Sequence, residues 1–249
     1  MPQENLTLKI TNESIGEQAR AFLTKFQPEV LKRPMRTDLA SLLRQVKISY
    51  SYDFIVSDLG LDRDSKVLGI TDFKNKVIGL DESFVQNDYN KTVRVPFVLA
   101  HELGHCIIHG PRYNALKMAG VFEEQTTDTL DAVTGRKTLV TERDFVEHHA
   151  NVFAGCILMP SETVQQALIT AQKNLGINRG VGKVYVDHHE YSIRDFNDTI
   201  VHLRRVYSVS KETVRTRLNQ LGLITGPDLK KMRLDHIMME IFGNQEQWI

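Results

Sequence analysis

Ile15, Ala19, Phe22, Leu23 and Phe26 recur at the three-to-four spacing of a helix with one buried face. Ser14-Ile15-Gly16-Glu17 reads as a capping box that would start this helix. A second helix is expected from Thr37 to about Arg44. Val46, Ile48, Tyr50, Tyr52 and Phe54 then alternate strictly, the pattern of a strand with one buried face. Short strands also fit Lys66 to Ile70 and Val77 to Leu80, with Asp72-Phe73-Lys74-Asn75 as the turn between them. Helical spacing returns from near Lys91 to His109, where Gly110-Pro111 should stop it.

The stretch from Arg112 to Asp144 is the least regular, and its Thr134-Gly135 allows either a hairpin or a loop. Helices follow from Phe145 to Met159 and from Ser161 to about Asn174, with Pro160 between them. Gly176, Gly180 and Gly182 punctuate a loop. Ile193, Phe196, Ile200, Leu203 and Val206 mark another helix. Ser210 reads as the N-cap of the next one, which runs through Val214, Leu218 and Leu221 to Gly222 as the residue past its end. A last helix is expected from Asp228 to about Phe242. This order predicts an α+β protein: helices, a small sheet, one apolar helix, then mostly helices.

Composition narrows the classes without choosing among them. The 249 residues suffice for one large or two small domains, and 41% apolar with 25% charged residues is ordinary for a globular chain. With 31 basic and 31 acidic residues, bulk charge argues neither for nor against nucleic acid. No apolar run approaches the roughly 20 residues of a membrane span, so no membrane partner is expected. The first residues, Met1-Pro2-Gln3-Glu4-Asn5, carry no secretory pattern, and Cys106 and Cys156 cannot make a disulfide framework. A cytoplasmic location is the resulting expectation. Both cysteines are flanked by aliphatic residues and read as small core side chains.

The apolar helix carries the chemistry. His101-Glu102-Leu103-Gly104-His105 places two imidazoles at i and i+4, one above the other on a single face. Two imidazoles so placed suit zinc, and the glutamate between them can serve as general base toward a water. His109 extends the stripe but lies about 12 Å along the axis from His101, too far to share one ion. A catalytic zinc needs a third protein ligand and an open position. Glu147 is the best candidate, with Asn151 at i+4 placed to orient a ligating imidazole from behind; His148 and His149 remain alternatives. Ala150, Ala154 and Gly155 would let this second helix approach the first closely, and Gly104 hints at the same contact. The strand ending near Leu80 could hold an extended peptide by edge addition. Tyr185, Tyr191, His188, His189 and His202 are candidates for the donor that stabilises an oxyanion, with no ground for choosing among them.

Several segments together resemble the ImmA/IrrE family of metallo-endopeptidases. They are Val93-Arg94-Val95-Pro96-Phe97-Val98-Leu99-Ala100 leading into the pentapeptide, the Glu147-x-x-Ala150-Asn151-x-Phe153-Ala154 block with Leu158-Met159-Pro160, and the segment from Val209 to Leu223. The separation between His105 and Glu147 is longer than in the family, and His149 stands where many members carry a second acidic residue. The resemblance implies a zincin-like fold of the glutamate-ligand type. His101, His105 and Glu147 would hold zinc and Glu102 would be the catalytic base. It further implies cleavage of a protein substrate, a helix-turn-helix repressor, in an anti-repressor or stress-response setting.

The expected division is a zincin-like domain over 1–160 and a helical region over 161–249, with helix-turn-helix proportions at 192–224. That last feature, with Arg204, Arg205, Lys211, Arg215 and Arg217, supports an alternative: a DNA- or protein-binding regulator with a structural or vestigial zinc. Nucleic acid is the less favoured partner, because the net charge is zero and Glu212 dilutes the patch. The sequence does not specify an oligomeric state.

Overall fold

The computed structural model describes residues 10–59, 67–82, 94–113, 125–129 and 142–226. Its helices are α1 (Asn12–Phe26), α2 (Leu39–Tyr50), α3 (Val95–Gly104), α4 (Glu142–Leu158), α5 (Ser161–Leu175), α6 (Glu190–Tyr207) and α7 (Lys211–Gln220). Its strands are β1 (Asp53–Ser57), β2 (Val67–Asp72), β3 (Val77–Asp81), β4 (Gln125–Thr129), β5 (Val184–Tyr185) and β6 (Ile224–Thr225). The protein is α+β, mostly helical, as the pattern predicts. The hairpin or loop at Thr134-Gly135 and the last helix from Asp228 lie outside the described residues.

β1 to β4 form one sheet in the order β1-β3-β2-β4, with β1 parallel to β3 and the other pairs antiparallel. The β2–β3 hairpin turns where the sequence places it. Asp72 Oδ1 accepts the N–H groups of Lys74 and Asn75, each at 2.9 Å, and Lys76 takes a left-handed φ of 55°. β3 is bonded on both sides, so the strand ending at Leu80 has no free edge. The expectation that it receives an extended peptide is therefore wrong: its backbone groups are already used. β5 and β6 make a separate parallel pair.

The alternation from Val46 to Phe54 is not a strand. Leu39, Leu42 and Val46 form one buried helical stripe, α2 runs on to Tyr50, and Ile48 is 76% exposed. Val46 and Tyr50 stand four residues apart, a spacing that both a helix and a strand can satisfy, so the short window misleads. Ser51, at φ 62°, ends the helix, and β1 begins only at Asp53. α1 likewise starts earlier than its capping-box pattern implies. Thr11 is the N-cap and its side chain accepts the Ser14 N–H at 3.2 Å, which leaves Ser14 inside the first turn.

One hydrophobic core joins these elements. α1 lays Ile15, Ala19, Phe22 and Leu23 against α4, and the Phe22 and Phe153 rings meet edge to face at 6.1 Å. α4 also packs along α3, with glycine at the crossing. A Cβ on Gly104 would lie 3.0 Å from Ala150 Cα and 3.1 Å from its carbonyl oxygen. The close approach hinted at by Gly104 is thus real, and Ala150 is its counterpart. Gly155 faces elsewhere, toward Gln220 and Arg217 of α7. Arg217, buried, donates from Nε to the Met159 carbonyl at 2.9 Å and so ties α7 to the end of α4. Ser210 caps α7 by accepting the Thr213 N–H at 3.0 Å, and Gly222 at φ 63° closes it, both as expected. No single helix among the described residues is long and apolar enough to cross a membrane.

Candidate metal centre

The apolar helix does not run unbroken to His109. α3 ends at Gly104, and His105 to His109 form a π turn in which the Gly110 N–H bonds to the His105 carbonyl. A 3₁₀ turn, Gly110–Arg112, follows. His101, Glu102, His105 and His109 are all fully buried.

The structure brings together three of the residues singled out from the sequence. One ligand atom each from His101, His105 and Glu147 lies within 4.8 Å of the others. The two Nε2 atoms are 2.9 Å apart, and the Glu147 oxygens lie 3.2 Å from His101 Nε2 and 3.7 Å from His105 Nε2. A tetrahedral ion with bonds of about 2.0–2.1 Å would hold its donors roughly 3.3 Å apart. The three separations bracket that value, so the cluster fits a small divalent cation. α3 and the first turn beyond it supply both imidazoles, and α4 supplies the carboxylate across the Gly104–Ala150 contact.

Electrostatics fits the same picture. Burial pushes the His105 imidazole below its ordinary pKa, which favours the neutral, metal-binding form. Burial opposes ionisation of Glu147, but the adjacent His105 and His101 more than offset it and hold its carboxyl below the usual range. An ionised carboxylate beside an imidazole that burial drives toward its neutral form is a donor set that a cation would bind.

Asn151, one turn after Glu147, has Oδ1 2.9 Å from His101 Nδ1. An amide oxygen only accepts, so His101 carries its hydrogen on Nδ1 and leaves the Nε2 lone pair pointing into the cluster. The two histidines left open as alternatives to Glu147 face other ways. His148 Nε2 is 2.9 Å from Asn12 Oδ1 at the start of α1, and His149 is buried with its ring stacked 5.8 Å from that of His109. Burial, with His148 and His105 nearby, lowers the His149 pKa to about 4.

Glu102 points to the sheet side of α3. The buried hydroxyl of Thr71 donates to Glu102 Oε2 at 2.5 Å and also lies 3.2 Å from the Glu102 carbonyl oxygen. Gly69, two residues before it on β2, is as closely fitted. A Cβ there would sit 2.9 Å from Glu102 Oε1 and 2.8 Å from Val98 Cγ1. Neither residue is singled out by sequence reading, because their relation to Glu102 depends on strand register.

The five candidate oxyanion donors lie on β5, the loop after it and α6, elements that pack mainly on α5, α7 and one another. Three of them form a surface group. His189 Nδ1 is 2.9 Å from Asp187 Oδ2, His188 and Tyr191 stack on it, and Arg179 lies 4.2 Å over the Tyr191 ring. Tyr185 is bonded into the β5–β6 pair. Of the cations behind the nucleic-acid alternative, Arg217 is buried, and Arg215 sits against Glu212 at 3.7 Å and over Phe196 at 5.9 Å.

Comparison with known proteins agrees with the geometry. The chain matches no curated protein. A family model does match: the IrrE N-terminal-like domain, a peptidase family, over residues 70–219. That span runs from the strand bearing Thr71 through α3 and α4 into the last turn of α7 and includes the whole His/His/Glu cluster. The chain belongs to the IrrE N-terminal-like family of metallopeptidases.

Proposed function

We propose that the protein is a zinc-dependent endopeptidase that cleaves a folded regulatory protein, a helix-turn-helix repressor in the first instance. The observation that carries this reading is the convergence of His101, His105 and Glu147 beside a buried glutamate, in a chain of a peptidase family. Two nitrogens and one carboxylate oxygen are the donor set of many catalytic zinc sites, and among the described residues no cysteine joins the cluster. His101 and His105 on one turn and Glu147 on the facing helix would hold the ion. The ion, when bound, would supply Lewis acidity to the scissile carbonyl and lower the pKa of the attacking water.

The remaining chemistry belongs to the chain. Glu102 follows His101 by about 100° around the helix, which sets its carboxylate beside the cluster rather than in it. There it takes a proton from the attacking water and later returns it to the leaving amine. Thr71 fixes one oxygen of that carboxylate and so sets its orientation. Asn151 keeps His101 in the tautomer that faces the ion.

The test is incubation of the purified protein with a helix-turn-helix repressor, with zinc and with a chelator, read for a defined fragment. Cleavage that depends on zinc, and that disappears in Glu102→Gln while zinc is retained, is the expected result. Retained cleavage in that variant would refute Glu102 as base. Tight, salt-sensitive DNA binding without any cleavage would favour the regulator alternative instead.

A further inference from the structure

We infer that His109 is the positioning residue of His105, accepting the His105 Nδ1–H as Asn151 accepts that of His101. The inference rests on the proposed reading of His101 and His105 as metal ligands.

His105 and His109 face each other through Nδ1, at 3.0 Å. With Nε2 of His105 turned toward His101 and Glu147, its hydrogen must sit on Nδ1 for the Nε2 lone pair to reach a cation. His109 Nδ1 then has to be the acceptor, and its own hydrogen has to sit on Nε2. A residue too distant to share the ion is therefore placed where it can fix the tautomer and ring plane of one that does.

The surroundings hold His109 in that role. It sits at the end of a π turn, a rare helical irregularity that recurs at functional sites. Its ring is fully buried and lies 5.8 Å from that of His149, the planes 28° apart. The carboxylate-bearing helix α4 thus braces both ligating imidazoles from behind, His101 directly through Asn151 and His105 through His149 and His109. On the other side, a Cβ at Gly110 would fall 3.0 Å from the hydroxyl of buried Tyr52, so that ring packs closely over the turn.

The experiment measures zinc affinity of the full chain by competition with a chromophoric chelator, in the wild type, His109→Phe and His109→Asn. Phenylalanine keeps a stacking ring but offers no acceptor, whereas the asparagine oxygen can stand near the Nδ1 position. We expect His109→Phe to bind zinc about 10- to 100-fold more weakly, and His109→Asn to recover most of that loss. Equal affinity in the wild type and His109→Phe overturns the inference, as does an equal loss in both variants, which would indicate packing alone. A wild type that binds no zinc would instead overturn the metallopeptidase reading. If His109→Phe does not fold, ¹⁵N imidazole spectra of the zinc-loaded wild type decide. The expected pattern is a protonated Nδ1 on His105 and an unprotonated Nδ1 on His109, and the reverse pattern on His109 overturns the proposal.

Discussion

The hydroxyl of Thr71 reaches Glu102 Oε2 at 2.5 Å, so a strand residue 31 positions earlier in the chain fixes the orientation of the glutamate between the two histidines. A hydrogen bond to a charged group is worth about 1.5–3 kcal/mol, and the bond orients the group as well. Thr71→Val should lower kcat by about 10- to 100-fold while zinc affinity stays near that of the wild type. Thr71→Ser, which keeps the donor, should retain most of the activity. Steady-state kinetics beside a zinc titration would check both, and an unchanged kcat in Thr71→Val would count against the orienting role.

Gly104→Ala sets two effects against each other. Alanine favours a helix by about 1 kcal/mol over glycine. The new methyl would stand 3.0 Å from Ala150 Cα and 3.1 Å from its oxygen, and backbone atoms cannot rotate aside. Overpacking of this kind costs about 1–3 kcal/mol, so the contact should win. The melting temperature is expected to fall, and zinc affinity with it, since α3 and α4 carry different members of the cluster. A higher melting temperature would show that the helices can move apart freely.

Tyr207 lies in the core with its hydroxyl 3.2 Å from Thr163 Oγ1. Burial pushes its pKa up to about 12, against the smaller opposing effects of Thr163 and Arg217. The unfolded chain releases this proton near pH 10, so the contribution to stability is intact below that value. It is lost as pH rises from about 10 to about 12, to the extent of about 3 kcal/mol. Denaturant midpoints measured across this window should fall less steeply in Tyr207→Phe than in the wild type.

Cys106 and Cys156 are both buried and unpaired. Burial pushes the Cys106 thiol up to about 12 and raises that of Cys156 as well. The thiolate is the reactive form, so neither should be alkylated in the native protein at pH 8. Mass spectrometry should find both labelled after denaturation. Rapid labelling of the folded chain would contradict their role as core residues.

Much of the centre was legible because its information is local. The spacing of His101 and His105, and of Glu147 and Asn151, needs only helical periodicity, and Gly104 against Ala150 follows from two small residues on facing helices. Thr71 and Gly69 carry no such mark, and His109, though it extends the histidine stripe, shows nothing of its contact with His105. Thr71 and Gly69 matter only through the register of β2 on α3, and the His109 contact through a turn whose π geometry no residue type announces. The same distinction explains the fold. Helices with wide apolar stripes are found near their expected limits, whereas the stretch around Val46 to Phe54 offers two periods at once and tertiary burial decides between them.

β4 comes from the long connection between His105 and Glu147, and it pairs with β2 so that Thr126 stands opposite Thr71. This connection is thus not a tether of arbitrary length, since it furnishes the outermost strand beside the one whose Thr71 holds Glu102. Trimming it to make a minimal enzyme would strip a margin from the sheet at the position next to the Thr71–Glu102 clasp. Any shortened design should therefore keep those five residues in register.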